Sequence, residues 1–263
     1  MRKNKFLLLT IVLFLCVVFC ASSADAAHPL ITDDTGVQGK GKMQIELNGE
    51  YASDRETNAS DEEIVTRDAE AAVSFTYGIS DSIDGVIGVP YVWSEIHDSA
   101  STHESAKGIS DMSVEVKWRF FEKEGFSLGL KPGMSIPTGD DEKGLGTGKY
   151  GFSAYFIATY EAGQWAFHAN LGYIRNNNKD DERKNLSHAS LASELAITEN
   201  LKAVVNVGID RNPDCTSDKD PVFLIGGLIF ALSEDFEIDA GIKKGMTDPE
   251  ADTTALAGMT ARF

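Results

Sequence analysis

Ser110 to Phe121 reads SDMSVEVKWRFF, and its apolar residues fall on every second position. Met112, Val114, Val116, Trp118 and Phe120 alternate with Asp111, Ser113, Glu115, Lys117 and Arg119. A period of two is the signature of a strand with one apolar and one polar face. The same alternation returns in GKMQIELNGEY, FSLGLKPGMSI and QWAFHANLGY. No comparable stretch repeats at helical spacing. We delimit twelve segments: 41–53, 66–79, 83–96, 109–121, 126–137, 149–160, 164–175, 187–198, 201–211, 221–232, 236–246 and 253–263. Most exceed the usual globular strand of about five or six residues and match the length a tilted strand needs to cross a bilayer.

The connections sharpen this. Segments 2–3, 4–5, 6–7, 8–9 and 10–11 are joined by ISDSI, EKEG, EAG, TEN and SED, which are tight turns. Between them come longer polar stretches such as ASDRETNASDEE, PTGDDEKGLGTG and NNNKDDERKNLS. Short and long alternate, as in a membrane β-barrel with short periplasmic turns and long outer loops. A soluble antiparallel sandwich also alternates, but it needs no short–long rhythm and hides its apolar face. The expected fold is all-β: a single antiparallel transmembrane barrel of about twelve strands spanning 41–263.

The first residues fit that destination. Arg2, Lys3 and Lys5 precede an apolar run from Phe6 to Phe19, and Ala24-Asp25-Ala26 suits cleavage. Residues 1–26 read as a cleaved signal peptide rather than an anchor. Phe19 before Cys20 argues against lipidation. The leader carries three bases and one acid, so the mature chain is more acidic than the full chain's net −17 and should not seek nucleic acid. Only Cys215 then remains, so no internal disulfide is expected. Residues 27–40, AHPLITDDTGVQGK, read as a loop that lies in the periplasm or plugs the barrel.

Aromatic residues gather near strand ends on the apolar parity. Tyr91, Trp93 and Tyr173 lie toward the outer ends, and Trp118, Tyr160 and Trp165 toward the inner ends. They are the expected aromatic girdles. The last strand ends in Phe263, the position of an assembly signal in bacterial outer-membrane barrels. PVFLIGGLIFAL is apolar on both parities. Either its lumen side packs against something, or Gly226-Gly227 marks a bulge.

The polar parity defines the expected pore lining: Glu46, Asn48, Glu115, Lys117, Arg119, Lys131, His168, Asn170, Glu194, Lys202, Asn206, Glu237, Asp239 and Lys243. Charges of both signs there either pair across the wall or set a field along a solute path.

GLGTGK resembles a phosphate loop but fails its spacing test. Lys143 stands where the first glycine belongs, and Tyr150 follows Lys149. Its glycines serve an outer loop. No histidine has metal-ligand spacing, so no metal, cofactor or catalytic group is expected. NAS at 58–60 and NLS at 185–187 match glycosylation spacing without that meaning in a bacterial outer membrane.

HPLITDDTGVQGKGKMQIELNGEY, the stretch from SDMSVEVKWRFF through GLGTGKYGF, and WAFHANLGYIRNNN together resemble the outer-membrane family labelled "putative MetA-pathway of phenol degradation". The resemblance covers nearly all of the mature chain. It implies a transporter for small aromatic or other apolar compounds in a Gram-negative outer membrane. The expected partners are outer-membrane lipid and lipopolysaccharide, the barrel assembly machinery and a small solute. The alternatives are a blocked barrel acting through acidic surface loops and, less favoured, a barrel enzyme.

Overall fold

A computed structural model describes residues 28–57, 63–98 and 103–263. The expected signal peptide, the acceptor-like NAS and parts of the two loops after residues 57 and 98 lie outside them. Thirteen strands follow in order: β1 (Met43–Thr57), β2 (Glu63–Ser80), β3 (Ile83–Asp98), β4 (His103–Ile109), β5 (Met112–Lys123), β6 (Phe126–Ile136) and β7 (Gly151–Ala162). Then come β8 (Trp165–Arg175), β9 (Asn185–Ala196), β10 (Leu201–Asp210), β11 (Val222–Ser233), β12 (Phe236–Gly245) and β13 (Thr253–Arg262). The pairings are all antiparallel, β13 pairs with β1, and among the described residues β4 alone has a single partner, β3. The sheet closes on itself, which removes the free edges that an open sheet would expose.

Strands β4 and β5 form one stave. β4 pairs with β3 at Tyr91–His97, while β5 pairs with it at Ile83–Gly88. The break falls at Ser110 and Asp111. The barrel is therefore a closed twelve-stave antiparallel wall. Strands β1 to β4 run further outward than the alternation reaches. β1 continues to Thr57, β3 to Asp98, and the fourth stave begins at His103. Those extensions are polar, so backbone ladder bonds carry them where no apolar parity is needed.

The two faces are inside out. Along β5, Val114, Val116, Trp118 and Phe120 are 38–45 % exposed, while Glu115, Lys117 and Arg119 are partly buried. Leu171 and Leu191 are 63 % and 60 % exposed, whereas Asn170 and Asn206 are buried. Such an unbroken apolar exterior requires lipid.

The girdle residues face outward. Tyr91 and Trp93 stand with ring centroids 4.5 Å apart. Trp165 stacks on Phe167 at 6.0 Å, and Trp118 lies 5.6 Å from Phe120. Tyr160 and Tyr173 are about half exposed. At the seam the Met43 amide donates to the Phe263 carbonyl at 3.0 Å, and the Phe263 amide donates back at 2.9 Å. The main chain of the last residue thus closes the strand pair, while the Phe263 ring stays exposed.

In β11 the register stays regular through Gly226 and Gly227, and the bulge falls later, between Ala231 and Ser233. The lumen side of β11 is apolar for two reasons: Gly227 and Ile229 receive the N-terminal segment, and Phe223 and Ile225 pack against Leu256 of β13.

Candidate functional site

Residues 28–38 lie inside the barrel and cross it. The segment leaves the inner end of β1 and climbs past the start of β3, where the Gln38 amide donates to Asp84 at 2.9 Å. The Thr35 amide donates to Thr159 at 3.1 Å, and its hydroxyl meets Ser127 at 2.5 Å. Asp33 and Asp34 then bring two carboxylates to the wall lysines. Lys117 reaches Asp33 at 2.8 Å and Asp34 at 3.1 Å, and Lys131 reaches Asp33 at 2.8 Å. Asn170 donates to the Asp33 carbonyl at 3.0 Å.

Past this point the segment reaches the opposite wall. Asn206 accepts from the amides of Ile31 and Thr32, at 2.8 and 3.1 Å, and donates to the Thr32 hydroxyl at 2.6 Å. The Thr32 hydroxyl donates to Ser190 at 2.7 Å. Leu30 is buried with Ala192, Val204 and Ile229. Pro29 sits where Cβ atoms on Gly227 and Gly241 would come within 2.7 and 3.0 Å of its ring. Those two positions lack side chains because the segment passes there. His28 ends the described path, 2.5 Å from Asp239.

All fourteen residues expected to line the pore point inward, but the N-terminal segment takes several of them. Lys117, Lys131, Asn170, Asn206 and Asp239 bind it directly. Others bind one another. Glu194 lies 3.6 Å from His168 and 3.4 Å from Lys202. Glu237 pairs with Arg262 at 2.9 Å, and Glu115 lies 3.6 Å from Lys131. Arg119 pairs with Glu122 at 3.3 Å and Lys243 with Glu250 at 2.8 Å. Glu46 borders a cavity of about 170 Å³ beside Asp33 and Asp84, and Asn48 is half-buried in the same wall. One oxygen of the buried Asp84 has no protein partner. A polar cavity of this size has room for water. Sequence parity found the wall residues but missed their partners Asp33, Asp34, Thr32 and Thr35, which sit in a segment with no alternation.

Toward the outer end the lumen opens into a vestibule of about 950 Å³. Its lining is acidic: Glu50, Asp68, Glu70, Glu142, Asp180 and Glu182 border it, against Lys143. Glu50 and Glu70 stand directly opposite on β1 and β2. Like charges in that position oppose strand pairing, so sheet stability does not explain them.

The GLGTGK loop roofs this space. Asp111, at the break between β4 and β5, accepts from the amides of Gly139 and Thr147 at 3.0 and 2.8 Å and from the Thr147 hydroxyl at 2.9 Å. Leu145 is buried beneath. Gly144 and Gly148 adopt φ of 70° and 65°, a left-handed backbone that suits glycine. The neighbouring loops are knitted together. Arg183 donates to the carbonyls of Asn212, Asp214, Cys215 and Ser217. Lys179 pairs with Asp141 at 2.6 Å. The Asn212 amide and then Arg211 hold the Asp220 carboxyl below its ordinary range, so it stays charged on the rim.

The family described as "Putative MetA-pathway of phenol degradation" matches residues 29–263. No curated protein matches the chain in sequence. Among solved structures, it is similar to the COG4313 outer membrane channel from Pseudomonas putida F1, with a TM-score of 0.63 at 12 % identity over 85 % of this chain and 96 % of that one. It is also similar to the translocator domain of autotransporter NalP from Neisseria meningitidis, with a TM-score of 0.54 at 9 % identity over 86 % and 89 %. The KdgM porin gives a TM-score of 0.54 at 6 % identity over 84 % and 99 %. These likenesses share the barrel fold.

Proposed function

From the premise that this chain belongs to the "Putative MetA-pathway of phenol degradation" family, we propose that it is a passive outer-membrane channel for small solutes. The signal peptide delivers it to the Gram-negative outer membrane. Solute enters the outer vestibule and passes when the N-terminal segment shifts from its mid-lumen seat. One observation carries this reading: a polar lumen opens at its outer end into a 950 Å³ chamber and is crossed at mid-depth by the chain's own residues 28–38. The solid structural core of a merely mechanical barrel needs no such chamber.

The chamber's charge selects the solute. Its carboxylates set a field that repels anions and admits neutral or cationic molecules. A neutral phenol-type compound suits both that field and the family's label, and an aromatic carboxylate does not. KdgM has been solved with an oligogalacturonate, a polyanion. The acidic mouth here argues for a different cargo.

Liposome swelling tests the proposal. Proteoliposomes should take up small neutral sugars and neutral or cationic amino acids faster than carboxylates of equal size. Removing residues 28–38 should raise all rates several-fold. Uptake of no solute by either form would defeat the channel reading.

A further inference from the structure

At the outer rim, on the lipid side, cations gather without carboxylate partners. A cleft of about 400 Å³ lies between the β6–β7 and β8–β9 loops, lined by Lys149, Lys184, Tyr150, Phe152 and Asn177, among others. Phe152, on the lipid-facing parity of β7, and Tyr150, just before the strand, are 52 % and 54 % exposed. Arg175 stands directly opposite Phe152 on β8, and Asn185 stands opposite Arg175 on β9, so all three share that face.

The arrangement is held in place. Asn185 accepts from the Tyr173 hydroxyl at 2.8 Å and from Arg175 Nη1 at 2.8 Å. Lys149 donates to the Asn178 carbonyl at 2.7 Å. Among the described residues, no carboxylate makes an ion pair with Lys149, Arg175 or Lys184, although the chain carries 41 acids to 24 bases. The remaining guanidinium donors of Arg175 have no acceptor among the described residues. A cation on the lipid face costs little only near the headgroups. Arg175 reaches the cleft through its register partner Phe152. A guanidinium matches a phosphate in two-pronged geometry, and the two lysines lining the cleft add point charges.

We propose that this rim cleft binds the phosphorylated headgroup of an outer-leaflet lipid, with its acyl chains lying along Phe152 and the lipid-facing wall below. The occupant is set by charge complementarity together with exposed aromatics on one face. A free anion would use the cations and leave the aromatics idle. The site rests on the barrel standing in a membrane and not on its conducting solute.

The test uses the folded, detergent-solubilised full chain and native mass spectrometry. The probes are diphosphoryl lipid A, its dephosphorylated form and inorganic phosphate. One diphosphoryl lipid A should bind per barrel. Lys149→Gln, Arg175→Gln and Lys184→Gln combined should weaken it by about tenfold or more, from the loss of charge-assisted contacts. Lys219→Gln, at a rim lysine paired with Asp248, should leave binding unchanged. Heat-modified gel mobility verifies that each variant is folded. Equal binding of the dephosphorylated lipid overturns the proposal, as does undiminished binding by the triple variant. Displacement of the lipid by millimolar inorganic phosphate would make the cleft a free-anion site and overturn the lipid assignment.

Discussion

The N-terminal segment is fastened to the two sides of the lumen by different physics. On the β9–β12 side, Pro29 and Leu30 press into a hollow made by Ala192, Val204, Ile229 and two glycines. On the β5–β6 side, Asp33 sits between Lys117 and Lys131. The first attachment joins apolar burial, which is insensitive to salt, to buried hydrogen bonds from Ile31 and Thr32 to Asn206 and Ser190. The second is a charge tether whose side chains are 12–19 % exposed, so salt screens it in part. The apolar hollow is therefore the main seat, and the ionic side is the side that loosens. A segment anchored at one wall and tethered at the other can swing rather than leave.

That contrast can be broken from either side. Leu30→Asp should have the largest effect. It removes about 2 kcal/mol of apolar burial and sets a carboxylate among aliphatic side chains, where an unpaired charge is costly. Single-channel recordings should show the greatest rise in open probability for this variant. Asp33→Asn should come second. It weakens contacts to two lysines, at about 1.5–3 kcal/mol for a hydrogen bond to a charged group, but leaves the seat filled. It should also flatten the salt response: open probability of the unaltered chain should climb between 0.1 and 1 M salt, as the screening length falls from about 10 to about 3 Å, and that of Asp33→Asn should climb less. If Asp33→Asn opened the barrel more than Leu30→Asp, the ranking of the two attachments would be reversed. Asp111→Ala should do least to the current, changing it by less than about twofold. It frees only the roof loop, through lost hydrogen bonds of about 1 kcal/mol each, and its effect should appear as faster proteolysis within residues 139–148.

The contrast also explains what could be read from the sequence. The barrel wall was legible because lipid on one side and polar groups on the other impose a strict parity, as along Met112–Phe120. The lumen-facing residues followed from the same rule. The outward extensions of β1 to β4 were invisible, because strands beyond the bilayer need no apolar face. The partners of the wall were also invisible. Nothing local in HPLITDDTG says that Asp33 meets Lys117 and Lys131, since those contacts join residues more than eighty positions apart. The trace was indirect: the doubly apolar PVFLIGGLIFAL has a lumen side that packs in part against Pro29 and Leu30, at Gly227 and Ile229, and in part against Leu256, at Phe223 and Ile225. The glycines of GLGTGK were likewise legible as loop residues, while the inward fold depended on Asp111, some thirty residues earlier.

The central claim is that solute passes only when residues 28–38 move. The hydroxyls of Thr32, on the segment, and Ser190, on the β9 wall, are 2.7 Å apart, which marks them for a reversible clasp. With Cys215, which is exposed, first replaced by serine, the pair Thr32→Cys and Ser190→Cys should be recorded in a planar bilayer under oxidant and then reductant. The account predicts that current falls to the closed level when the disulfide forms and returns on reduction. Current that continues unchanged through a verified crosslink would mean that solute passes a fixed segment, and would contradict the claim.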